Sequence, residues 1–128
     1  MSEAEIVNII LRIREQVDFL WHFYVSSCAI LIGWLFSTRI EWTKEKHQVT
    51  SILFITFAVV NIFAIYKEYV LLESALTQLK ELATGSPFAY QLANSEGLGA
   101  SVAFLVHAAA DIVILQLIRI RYNRVITT

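Results

Sequence analysis

His107 and Asp111 stand four residues apart inside SVAFLVHAAADIVIL, residues 101–115, an apolar run with no other charged side chain. On a helix this spacing puts the two groups on one face, within reach of each other. Histidine titrates near neutral pH and can relay protons or bind a metal, and a carboxyl in low dielectric holds its proton unless a cation is near. An aspartate at the centre of a bilayer costs about 2.5–3.5 kcal/mol on insertion scales, so such groups turn toward protein or a wet cavity. Two uses of the pair follow. It titrates during passage of a proton or small cation, or it is a satisfied polar pair that fixes helix packing or subunit register. Metal binding has the least support, because one helix offers two ligands and no third unless symmetry repeats the pair around an axis. No metal and no cofactor are expected.

Other polar residues lie in apolar surroundings: His22, Ser26 and Ser27 in one stretch and Asn61 in another. Ordered by depth from the nearest charged flank, Asp18, His22, Asn61, His107 and Asp111 descend as a ladder, which makes His22, Asn61, His107 and Asp111 the candidate ion pathway. The plainer readings are interhelical hydrogen bonds for Ser26, Ser27 and Asn61, and a place for His22 in an aromatic belt beside Trp21 and Tyr24. Cys28 is the only cysteine, which excludes an internal disulfide, and its apolar setting suggests packing.

The elements that must hold these residues are legible in the charge pattern. Hydrophobic residues make up 57% of the 128 residues and charged ones 16%, against roughly 45–50% and about 25% in soluble domains. A chain this short has too little interior for that surplus, which must face lipid or other subunits. Charge-poor windows run over residues 19–38, 48–66 and 97–118, and each meets the roughly 20 residues a spanning helix needs. The expected fold is an all-α integral membrane unit with three transmembrane helices, over residues 3–37, 47–84 and 97–123, forming a single domain.

Two of these helices are too long for a bilayer alone. Ile6, Ile9, Ile10, Ile13, Val17 and Leu20 recur at helical steps before the first span. Tyr66, Tyr69, Val70, Glu73, Leu76, Leu79 and Leu82 do so after the second, with Glu73 as the one charged member. Neither segment has a Gly or Pro where it joins its span, so the pattern implies continuous helices that pair as an antiparallel stalk. Residues 83–99 break the pattern, with Gly85 and Pro87 as a stop, Asn94, Ser95 and Glu96 as a new start, and Phe88 and Tyr90 suited to the membrane interface.

On the third helix Gly99, Ala100, Ala103, His107, Ala110, Asp111 and Ile114 fall within one face. Gly99, Ala103 and Ala110 allow close approach of another helix. The expectation is a face that lines the axis of a homo-oligomer, with Ile114, Leu117 and Ile118 as an apolar gate.

Net charge is −1, with no basic face for nucleic acid. The N-terminus is mixed in charge, so no cleaved leader is expected. No Walker loop, GxGxxG, HExxH or GxSxG occurs, and Ser26, Ser27 and Cys28 are nucleophiles by element only, so enzyme activity is not expected. Six of the ten Lys and Arg residues (Arg39, Lys44, Lys46, Arg119, Arg121 and Arg124) share one side of the membrane, which puts the C-terminus in the cytoplasm of a plasma or inner membrane. The functional expectation is a homo-oligomeric channel or transporter for protons or small cations. The alternative is an accessory or scaffold subunit of a larger membrane complex that binds its partner through the stalk.

Overall fold

The computed structural model describes residues 1–82, 86–95 and 97–126. Four helices follow one another: α1 (Glu3–Leu35), α2 (Lys44–Leu82), α3 (Pro87–Ala93) and α4 (Ala100–Ile126), with no strand among the described residues. Helices α1, α2 and α4 are each long and apolar enough to cross a membrane. The protein is a multi-pass integral membrane protein.

At 33 and 39 residues, α1 and α2 reach about 50 and 58 Å, well beyond a hydrocarbon core about 30 Å thick. The excess is the antiparallel stalk. Its buried residues include Ile6 and Ile10 on α1 and Ala75 and Leu79 on α2. On α2 the packed face differs from the expected stripe: Ile65, Tyr69, Ala75 and Leu79 are buried, while Tyr66, Val70 and Leu82 are exposed. The stripe turns because α2 meets α1, α3 and α4 at different heights, and no single row of side chains serves all three.

Helix ends account for the boundaries. A capping box starts α1, where the Ser2 hydroxyl accepts from the Glu5 amide and the Glu5 carboxylate accepts from the Ser2 amide at 2.7 Å. Thr43 accepts from the Lys46 amide, which starts α2 at Lys44 rather than at residue 47. The segment expected to be irregular contains α3. Ser86 caps it and Pro87 occupies its first turn, so this proline opens a helix as its fixed φ permits. Asn94 ends α3 rather than opening the next helix; Gly85 and Glu96 lie outside the described residues. Helix α3 buries Ala89, Leu92 and Ala93 on the stalk and leaves Phe88 and Tyr90 exposed.

Two caps come from distant parts of the chain. Helix α4 has no acidic residue in its first turn, and Glu73 of α2 supplies one, accepting from the Ala100 amide at 2.7 Å. Helix α1 has no basic residue in its last turn, and Arg121 of α4 donates to the Leu35 carbonyl at 2.8 Å. Each puts a charge at the helix end whose dipole favours it. The stacked rings of His47 and Tyr122 further tie the start of α2 to the end of α4.

Candidate functional site

On α1 the fully covered positions are Ile6, Ile10, Val17, Tyr24, Cys28 and Leu35, with steps of seven and four that keep one seam facing its neighbours. Tyr24 is therefore an interior residue within the first span. On α4 the covered seam is Ala100, Ala103, His107, Ile114 and Ile118. Asn61 lies between Ala58 and Ile65 on the inner face of α2. Where the three seams converge, their polar members meet.

His107 has no exposed surface. Its Nδ1 lies 2.8 Å from Asp111 Oδ2 and its Nε2 lies 2.9 Å from Asn61 Oδ1. The Tyr24 hydroxyl donates to the other carboxylate oxygen, Asp111 Oδ1, at 2.8 Å. The Tyr24 ring lies against the imidazole with centroids 3.9 Å apart, and Trp21 closes another side at 5.8 Å. Cys28 sits one turn beyond Tyr24 on the same covered seam. Three helices thus each contribute to one closed polar cluster: Tyr24, Asn61, and the pair His107 and Asp111.

The partners constrain the protons. Asn61 Oδ1 is a carbonyl oxygen and only accepts, so Nε2 must carry a hydrogen. Nδ1 then faces a carboxyl oxygen with one proton between them, as imidazolium and carboxylate or as imidazole and carboxylic acid. Either way the cluster is neutral as a whole and the proton lies along one short bond. Removing it would leave two acceptors 2.8 Å apart, an arrangement that low dielectric makes costly.

The structure brings together three of the four candidate pathway residues, Asn61, His107 and Asp111. His22 is not among them: it is exposed, and its Nδ1 binds the Asp18 carbonyl oxygen of its own helix at 2.7 Å. Its position two residues before Tyr24 turns it to the outer surface, which corrects the ladder. Tyr24, in turn, belongs to the interior and not to a surface belt. Its spacing of seven from Val17 was the available signal, since the stalk stripe continued into the span runs through it.

The inward face of α4 meets its own chain. Ala103 is fully buried beside Val17, Ile65 and Tyr69, and Ala110 is half-buried. Adding a Cβ at Gly99 would bring it within 3.1 Å of Glu73 Oε1. Ile114 and Ile118 are core residues and Leu117 packs against the same cluster. This face therefore does not line an axis between copies, because α1 and α2 already cover it.

The cluster leaves no space for an ion among its own atoms, since both imidazole nitrogens and both carboxylate oxygens hold hydrogen-bond partners. Among the described residues no group of three or more His, Cys, Asp or Glu side chains is arranged for a metal. Comparison with protein-family models, curated protein sequences and solved structures finds no match to this chain.

Proposed function

We propose that this protein moves protons across a membrane and that the Tyr24, Asn61, His107 and Asp111 cluster is its titrating element. The single observation that supports this is the buried His107, held between Asn61 and Asp111 by a short contact on each ring nitrogen. A proton needs only a chain of hydrogen bonds, whereas a small cation needs several oxygen ligands and a cavity of its own size. The closed cluster suits the first and not the second. In this reading proton loss is accompanied by a rearrangement of the hydrogen bonds that Asn61 and Asp111 make to His107.

Assembly with further copies or other membrane subunits belongs to the same proposal. The Asp111 side chain keeps 14% of its surface accessible, and it does so at mid-membrane, where lipid cannot solvate it. A neighbouring protein surface with a polar group would cover that edge and receive the proton. Arg39 in the α1–α2 connection, Lys44 and Lys46 at the start of α2, and the end of α4 lie on one side, tied by the Arg121 contact. Positive-inside reasoning makes that side the cytoplasm of a plasma or inner membrane, with the stalk outside.

The test is proton flux through purified protein in liposomes loaded with a pH-sensitive dye. Native chain should conduct, and Asp111→Asn and His107→Ala should each abolish flux while the protein stays folded. Equal flux from all three, or none from the native chain, would overturn the proposal. The second reading, a scaffold whose stalk binds a partner, is favoured by the exposed Ile9, Leu11, Phe88 and Tyr90 on the stalk and on α3.

A further inference from the structure

Above the cluster, on the stalk side, a cleft of about 530 Å³ opens between α1, α2 and the residues leading into α4. The volume has room for on the order of ten waters. Its walls carry Arg14, Asp18 and Glu73, and Tyr69 and Val17 form part of its surface. The grooves beside the spans are different in kind, being lined almost wholly by apolar side chains. Val17 and Tyr69 of its wall belong to the side-chain cluster that also holds Ala103, one turn before His107, while Asn61 lines one of the apolar grooves. From Ala100, at its edge, to His107 is seven helical residues, about 10 Å.

One layer of side chains fills that distance. Val17, Ile65, Ala100 and Ala103 pack there with Tyr69, and Trp21 packs against them. Ile13, Leu20 and Leu72 pack against the same layer, and Trp21 and Tyr69 are its two members with polar atoms. The Trp21 indole N–H donates to the Tyr69 hydroxyl at 3.2 Å, and the indole ring lies against the His107 imidazole. Tyr69 therefore faces the cleft on one side and Trp21 on the other, and Trp21 separates Tyr69 from His107.

The chemistry of that order is informative. A phenol both accepts and donates, so Tyr69 can exchange protons with water in the cleft. An indole N–H only donates and has no lone pair for an incoming proton. A proton chain entering from the cleft stops at Trp21. We infer that Trp21, latched by Tyr69, is the stalk-side gate between the aqueous cleft and the proton held on His107. This inference rests on the transport reading above. Rotation of the indole off the Tyr69 hydroxyl would let water from the cleft reach the imidazole, and return of the indole would shut it off.

Exchange of the imidazole C2 hydrogen into heavy water, followed by mass spectrometry on protein in lipid nanodiscs, reads access to His107 without requiring transport. The exposed His22 serves as the internal reference in each sample. In the native chain His107 should exchange much more slowly than His22. Trp21→Ala should accelerate His107 at least tenfold, and Tyr69→Phe, which keeps the ring but removes the latch, should accelerate it several-fold. Phe63→Ala should leave His107 slow, because Phe63 is exposed and lines a groove that none of the cluster residues lines.

Slow exchange in both Trp21→Ala and Tyr69→Phe would overturn the gate, as would equal acceleration by Phe63→Ala. Should Trp21→Ala not fold, Tyr69→Phe alone decides. The liposome assay separates the two ideas. Flux lost in Asp111→Asn with no change in exchange in the gate variants leaves transport standing and removes the gate. Faster exchange with flux indifferent to Asp111→Asn keeps Trp21 as a water barrier and removes transport.

Discussion

Replacing Tyr24 with phenylalanine isolates one bond of the buried cluster. The ring is 3% exposed and lies between the imidazole, at 3.9 Å, and Phe57, at 6.1 Å. Phenylalanine fills the same volume, so packing is retained and only the hydroxyl that donates to Asp111 Oδ1 is lost. A hydrogen bond to a charged group is worth about 1.5–3 kcal/mol in water-soluble proteins. Side-chain bonds between membrane helices average nearer 0.6 kcal/mol, with a maximum of about 1.7, because the separated helices find other partners in the bilayer. Here the acceptor is a carboxyl shared with a histidine and the contact is closed to water, so the upper part of that membrane range applies. The expected loss is about 1–1.7 kcal/mol, roughly a tenfold change in the unfolding equilibrium.

The assay is a double-mutant cycle of Tyr24→Phe and Asp111→Ala in bicelles, with unfolding followed by tryptophan fluorescence. Tyr24→Phe should be costly in the native background and nearly silent when Asp111 is already alanine. A coupling below about 0.3 kcal/mol, within the ordinary additivity error, would mean that the cluster does not join α1 to α4, and the argument for its confined proton would fall with it.

The caps supplied from distant elements should be measurable one by one. Glu73→Ala removes the acceptor at the Ala100 amide and should cost about 0.5–2 kcal/mol, with faster amide exchange confined to the first turn of α4; unchanged exchange there would count against the cap. The Glu5 carboxyl is held below its ordinary value by the Ser2 amide and then the Ser2 hydroxyl. A lowered carboxyl stabilises the folded form above its unfolded pKa and loses that contribution as pH falls through the folded one. Amide protection in the first turn of α1 should therefore decline on acidification below the carboxylate range, and Glu5→Gln should remove that dependence. Ile9 is exposed on the stalk, while Ile13 packs inside it. Ile9→Lys should leave the chain folded and disrupt a stalk partner if one binds, as read by co-purification from membranes, whereas Ile13→Lys should unfold the stalk itself.

Composition and hydrophobic period determined a good deal about this protein. The three charge-poor windows required three spanning helices, because a bilayer leaves backbone groups no partner except those of their own helix. The unbroken helical steps through Val17 and Tyr69 required the first two helices to continue past the membrane. The inward face of α4 was also legible, since Ala103, His107 and Ile114 recur at steps of four and seven, and Ala103, His107 and Ile114 are the residues buried.

What the tertiary structure alone decided is which faces meet, and at what height. Period gives the angle of a side chain about its own helix and says nothing of the partner opposite, so α4 could be read as lining an axis between copies. In the folded chain α1 and α2 cover it, and Ile114 and Ile118 join the core. The same limit hid Tyr24, whose hydroxyl finds Asp111 across 87 positions of sequence, and the capping of α4 by Glu73, 27 positions away. Period also misled at His22, where depth in the membrane matched the cluster but angle did not. A ladder drawn by depth ignores rotation about the helix, and rotation determines whether a buried-looking histidine faces its own chain or the outer surface.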